Sequence, residues 1–135
     1  MRVFQTRLFQ KFVRRADLDN HRLLDAVARA DRGLIDADLG GGVIKQRIAR
    51  HGGGRSGGFR TIILFRAAAR AVFVYGFAKN ERDTIRDDEL AGFRRLAGAM
   101  LVWNESEIQA ALSSGALTEV SNDQDLPLPD PGDRA

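Results

Sequence analysis

Hydrophobic residues follow two different spacings along the chain. From about Arg7 to Arg15, and again from about Asn20 to Ala30, apolar residues recur at helical intervals, with Leu8, Phe12 and Val13 on one side of the first segment and Leu23, Leu24, Val27 and Ala30 on one side of the second. That period predicts two amphipathic helices. Asp17, Asp19 or Asn20 can cap the second by accepting from its free N–H groups. A short strand, Arg2 to Gln5, precedes them, and the two helices read as a hairpin.

The period then drops to two. In GGGVIKQRIAR, Val43, Lys45, Arg47 and Ala49 face one way and Ile44, Gln46 and Ile48 the other, which predicts a half-buried strand with its cations outward. Phe59 to Arg66 and Ala71 to Ala78 are apolar on both faces and joined by the short link AAAR, a hairpin at the centre of an antiparallel sheet. Strict alternation places Arg60 with Ile62 and Leu64, and Tyr75 and Lys79 with Phe73 and Phe77. Helical spacing returns in TIRDDELAGFRRLAGAML, where Leu90, Phe93, Leu96, Ala97, Met100 and Leu101 are in phase and Thr84 with Asp87 forms a capping box. NESEIQAALSSG reads as a further short helix capped by Asn104 or Ser106 and stopped by Gly115. The order (β)ααβββαα is that of an α+β domain: a small antiparallel sheet of 3–4 strands, an N-terminal helical hairpin and C-terminal helices, all gathered on one side of the sheet.

Composition narrows the chemistry. With 135 residues, 44% of them hydrophobic, the chain suits one modest core. No apolar run approaches the roughly 18 residues of a membrane span, and the N-terminus MRVFQTRLFQKFVRRA is broken by charge every few residues, unlike a secretory signal. A cytoplasmic protein is expected. Zero cysteines exclude a disulfide framework and a thiolate zinc site, and two histidines are too few for a histidine-rich metal centre, so no cofactor is expected.

Charge divides the chain more sharply than the net +3 suggests. Residues 118–135 carry Glu119, Asp123, Asp125, Asp130 and Asp133 against Arg134, together with all three prolines, and read as a solvated, disordered acidic tail. Residues 1–117, the expected folded domain, keep 20 Lys+Arg against 13 Asp+Glu, a net of +7. Between Asp38 and Glu81 lie 42 residues without an acid, holding Lys45, Arg47, Arg50, Arg55, Arg60, Arg66, Arg70 and Lys79. A merely solvated basic surface would intersperse acids with these bases, so the acid-free band points to a polyanion.

The glycine-rich HGGGRSGGFR sits inside that band, and Gly52, Gly54 and Gly57 fit G-x-G-x-x-G. That fingerprint requires a strand before it and a helix after it, because the helix N-terminus receives the phosphate. Here a strand follows, and the G-K-[ST] ending of a Walker loop is missing. The loop reads as a turn carrying Arg55 between two basic strands, with backbone N–H groups and a guanidinium to offer a phosphodiester.

RSGGFRTIILF, AVFVYGFAKNERDTI, the two preceding helices and the IKQR strand together resemble the RelE/ParE superfamily of toxins from type II toxin–antitoxin modules, in particular its RelE- and HigB-like branch, over about residues 2 to 101. The carrying motifs are Ser56-Gly57-Gly58-Phe59-Arg60 and Lys79-Asn80-Glu81-Arg82. The resemblance implies an endoribonuclease that cuts mRNA, commonly on the ribosome, and an antitoxin partner, often with a helix-turn-helix DNA-binding domain. Metal-free RNA cleavage sends the ribose 2′-OH onto phosphorus and leaves a 2′,3′-cyclic phosphate and a 5′-OH. The site must remove one proton, stabilise a dianionic phosphorane and protonate the leaving oxygen.

On this resemblance Arg60 stabilises the transition state, Lys79 and Glu81 are the acid–base candidates, and Lys45, Arg47, Arg50, Arg55 and Arg82 bind RNA phosphates. Tyr75 is a further candidate for stacking on a base and His51 for donating a proton. Asn80 and Arg86 stand where RelE-like enzymes often carry an arginine and a tyrosine, which leaves the general base open. Two alternatives stay open as well: a ParE-like inhibitor of DNA gyrase that cuts no RNA, and a catalytically inactive nucleic-acid-binding relative.

Overall fold

The computed structural model describes residues 1–49 and 58–121. Along them run β1 (Arg2–Thr6), α1 (Arg7–Ala16), α2 (Asn20–Asp31), β2 (Ala37–Gly40), β3 (Val43–Ile48), β4 (Phe59–Arg66), β5 (Arg70–Ala78), α3 (Asp87–Met100), α4 (Glu105–Ser114) and β6 (Leu117–Glu119). The strands form one sheet in the order β2-β3-β4-β5-β1-β6. It is mixed, because β1 runs parallel to β5 while the other pairs are antiparallel.

The six-stranded mixed sheet corrects the expected antiparallel sheet of 3–4 strands. β2 and β6 are short, of four and three residues, and too brief to show an alternation of their own. β6 also carries the sheet past the boundary drawn at residue 117, with Val120 still buried behind it.

The helices are not gathered on one side either. β4 and β5 are apolar on both faces and therefore need cover on both. Phe9 and Phe12 of α1 and Leu23, Ala26 and Val27 of α2 pack with Ile44, Ile63 and Phe73 in one buried cluster. Ala97 and Met100 of α3 and Ile108 and Ala111 of α4 pack with Phe4, Val43, Ile62, Leu64 and Val72 in a second. The domain has three layers, with the sheet in the middle.

Local chemistry explains most element ends. The Thr6 hydroxyl accepts from the Phe9 N–H at 3.2 Å to open α1, and Asp17 closes it in the left-handed region at φ 55°. Asp19, one of the three expected caps, opens α2 by accepting from the Arg22 N–H at 2.9 Å. Within α1 the expected Phe12 is buried and Phe9 joins it, its ring 4.9 Å from that of Phe73, while Leu8, expected inward, is 58% exposed. The helix start expected at Thr84 with Asp87 lies two residues later, at Arg86, where the Glu89 carboxylate accepts from the Arg86 N–H at 2.7 Å, the one half of a capping box that an arginine, which has no side-chain acceptor, permits. α4 is capped by Asn104 with Glu107 and stopped at Gly115, as its sequence indicates.

β5 departs from a regular central strand. The β4–β5 register runs Ile62↔Tyr75 and then Ile63↔Phe73, so Val74 is the extra residue of a bulge. Phe73 therefore faces the α1 side while Tyr75 and Phe77 face the α3 side, which breaks the strict alternation expected of them. Gly76 lies under the Phe12 ring, where a Cβ would stand 2.4 Å from its carbons. β1 pairs only with Arg70 to Phe73 of β5, so among the described residues the second half of β5 has no strand on that side. Among the described residues no helix is long and apolar enough to cross a membrane.

Candidate nucleic-acid interface

Strand register assembles the cationic site. Arg47, Arg60 and Phe77 are direct cross-strand partners, and Lys45, Ile62 and Tyr75 form the neighbouring row. All six project from the α3 side of the sheet. α3 covers that face where Val43 and Leu64 lie, and leaves it open farther along β3, where the Arg47 side chain is 65% exposed. Lys45, Arg47 and Arg60 line one shallow groove of about 240 Å³ together with Asp36.

Like charges placed directly opposite on neighbouring strands repel. Among the described residues no carboxylate pairs with Arg60 or Lys45, and Arg47 has only Asp36, at 3.6 Å. The repulsion is relieved when an anion sits between the guanidinium groups, which can each grip phosphate oxygens through two N–H donors.

The backbone beneath this row is held by side chains. Beyond the reach of β2, the Arg47 N–H donates to Asp36 Oδ2 at 2.6 Å, and the Arg47 carbonyl accepts from the Arg29 guanidinium at 2.8 Å. Arg22 donates to the Ala49 carbonyl at 3.4 Å, and Arg29 is steadied by Asp25 at 3.2 Å. These groups occupy the free edge of β3 and block addition of another strand there. On the buried side, Gln46 accepts from the Asp36 N–H at 2.7 Å and donates to the carbonyls of Ala26 and Leu34 at 3.0 and 3.2 Å. Neither Asp36 nor the two α2 arginines carries a sequence signal for this role, because they reach β3 only through tertiary packing.

A second cluster lies across β5. The Arg82 guanidinium donates to the Tyr75 hydroxyl at 2.9 Å, to the Thr84 carbonyl at 2.9 Å and to both oxygens of Glu89 at 2.7 and 3.3 Å. Hydrogen bonding to Glu89 raises the Arg82 pKa further, and the same bond lowers that of Glu89, helped by the Arg86 N–H. Arg82 also stands 5.6 and 5.5 Å from the ring centres of Tyr75 and Phe77. With Phe12, Arg15, Phe59 and Glu81, these residues line a cleft of about 440 Å³. Sequence reasoning missed Glu89 because its place in the first turn of α3 reads as ordinary capping.

The residues named from sequence thus fall into separate places. Lys45, Arg47 and Arg60 come together in one groove. Tyr75, Glu81 and Arg82 come together in the cleft. Lys79 and Glu81 are exposed in the turn after β5, tied to the start of β4 by the Lys79 N–H donating to the Gly58 carbonyl at 3.3 Å. Arg50, His51 and Arg55 lie outside the described residues, as does the acidic segment after Ser121. Among the described residues no grouping of His, Asp and Glu has the makings of a metal centre.

A search of curated proteins finds no match to this chain. A family model described as the RelE toxin of the RelE/RelB toxin–antitoxin system matches residues 1–120. That span takes in all ten elements and both clusters, so the chain belongs to the RelE toxin family.

Proposed function

We propose that the protein is the toxin of a type II toxin–antitoxin pair and acts as an endoribonuclease on mRNA, engaged on the ribosome. Family membership implies the antitoxin partner. The observation that carries the nuclease reading is the pair Arg47 and Arg60, opposed across β3 and β4 on the open part of the sheet with no carboxylate on Arg60 among the described residues. Such a pair is built to receive an anion, and a phosphodiester supplies one.

In this reading Arg60 faces the scissile phosphate and stabilises the charge that grows as the 2′-OH attacks phosphorus. Arg47 and Lys45 hold flanking phosphates. Glu81 and Lys79, in the turn beside the start of β4, exchange the protons taken from the 2′-OH and given to the 5′ oxygen. The products are a 2′,3′-cyclic phosphate and a 5′-OH, with no metal step. The antitoxin neutralises the toxin by covering the same cationic groove with acidic residues, an arrangement favoured by charge complementarity.

The test is inducible expression in a bacterium of the wild type beside Arg60→Ala, with growth followed and 5′-OH mRNA ends sequenced. Arrest with in-frame cuts that vanish in the variant supports the reading. Arrest without cuts moves the target to a protein such as gyrase. No arrest at equal expression of folded protein leaves an inactive nucleic-acid-binding relative.

A further inference from the structure

We propose that Arg82 is a stacking platform for an RNA base, and that the cleft it lines with Phe12, Tyr75, Phe77 and Glu81 receives the nucleotide beside the phosphate gripped at Arg60. This assignment rests on the RNA-cleaving reading and gives Arg82 a different task from the phosphate binding its sequence suggests.

A guanidinium has five N–H donors in its plane and two faces above and below it. In Arg82 the plane is occupied by four hydrogen bonds, to Thr84, Tyr75 and the two oxygens of Glu89. Too few donors remain for a fork onto a phosphate, and the Glu89 carboxylate already balances the charge. What the arrangement does provide is a locked flat group, 26% exposed, beside the rings of Tyr75 and Phe77. Unstacked RNA bases settle on aromatic rings and on guanidinium planes.

The cleft has the right neighbours. Phe77, which lines the cleft, is the direct cross-strand partner of Arg60, so a residue of the phosphate site and a residue of the cleft stand on adjacent strands about 4.8 Å apart. A single nucleotide spans that separation. Glu81, given the proton-exchange role above, also lines the cleft, so a base held there would sit beside the reacting ribose. Because β1 stops pairing at Phe73, no strand among the described residues closes the cleft from that side. An extended segment of a protein partner could add to the same edge, and the test separates the two occupants.

The probe is a five-nucleotide RNA made uncleavable by 2′-O-methylation and carrying 2-aminopurine, titrated against the full chain at several salt concentrations. Binding to the wild type quenches the fluorophore through stacking. Arg82→Lys, which keeps charge and loses the plane, abolishes the quench and weakens binding about 5- to 150-fold while leaving the salt dependence unchanged. Arg60→Ala instead lowers the slope of log affinity against log salt by about 0.7, the value for one phosphate contact on a single strand. Glu89→Gln, a second variant should Arg82→Lys melt early, loosens the plane and frees charge, so the quench falls and the slope steepens.

Because lysine keeps the charge, the deciding slope is that of Arg82→Gln: a drop of about 0.7, as in Arg60→Ala, would make Arg82 a phosphate clamp and overturn the proposal. Quench and affinity untouched by either cleft variant would overturn it too, and give the cleft to a strand of a protein partner. If the wild type binds no RNA, the nuclease reading falls first and the base site with it, an outcome distinct from binding without a cleft effect.

Discussion

The two ends of one sheet face show what separates a structural position from a functional one. Val43 pairs with Leu64 and Arg47 pairs with Arg60, on the same two strands and the same face. The first pair is fully buried under Ala97 and Met100 of α3, and the second lies beyond that cover, with Arg47 exposed and Arg60 half-buried. Strand pairing sets the spacing at both ends equally. The reach of α3 decides which end becomes core, and Gly42 helps set that reach: at φ +85° it closes the turn before β3, and a Cβ there would stand 2.9 Å from Leu101.

Two substitutions break the comparison in opposite ways. Leu64→Ala removes a fully buried side chain and should cost about 2–5 kcal/mol of stability, measured by denaturant unfolding, with RNA affinity per folded molecule unchanged. Arg60→Ala should do the reverse. Unfolding should move by no more than about 0.5 kcal/mol, while single-turnover cleavage of an mRNA on ribosomes slows about 10²- to 10³-fold. If Arg60→Ala unfolded the protein as Leu64→Ala does, Arg60 would belong to the structure and not to the site.

How legible these two ends were in the sequence follows from their physics. The alternation of Val43, Lys45 and Arg47 against Ile44, Gln46 and Ile48 gave the strand, its faces and its exposed cations, because a period of two survives wherever the strand is regular. The same rule failed at Tyr75, where the Val74 bulge inserts one residue and reverses the face; a bulge within an apolar run leaves no mark in the pattern. The helices were expected on one side of the sheet, although strands as apolar on both faces as β4 and β5 need cover on both; which helix covers which face depends on chain crossings that spacing does not encode. Partners that meet only through the fold, Glu89 for Arg82 and Asp36 for Arg47, were invisible for the same reason.

The bulge region offers the next test. Gly76→Ala drives a methyl group into the Phe12 ring and should cost about 1–3 kcal/mol. The loss should appear in thermal melting and in the cleft, through weaker quenching of the 2-aminopurine probe, with the salt dependence set by Arg60 intact. A variant as stable as the wild type would mean that Phe12 leaves the strand easily and does not shape the cleft.

Acid should loosen the carboxylates clamped by Arg82 and by Arg2. Glu89 and Glu119 both have pKa values lowered below the ordinary 4.5, the first mainly by hydrogen bonds from Arg82 and the second by those from Arg2. A carboxylate whose folded pKa is depressed stabilises the fold fully above its unfolded pKa, and that contribution disappears as pH falls through the folded value. The melting temperature should therefore hold steady at neutral pH and fall below about pH 4.5. Glu89→Gln should lower the neutral plateau and flatten part of the acid drop, and a drop of unchanged size would exclude Glu89 from it.

The smallest effect belongs to Asp36, the one acid lining the cationic groove among the described residues. Its carboxylate holds the Arg47 N–H at 2.6 Å and faces the Arg47 guanidinium at 3.6 Å, so it fixes the strand while partly cancelling the charge offered to RNA. Asp36→Asn keeps an oxygen for the backbone hydrogen bond and removes the charge. An exposed pair of this kind is worth about 0.2–1 kcal/mol, so RNA affinity at low salt should rise about 1.5- to 5-fold and converge with the wild type near 1 M salt, where screening extends over only about 3 Å. The sign matters more than the size. A gain shows that Arg47 meets the phosphate directly, whereas a loss would mean that Asp36 orients Arg47 and that the groove works as a preset clamp whose acid is part of its geometry.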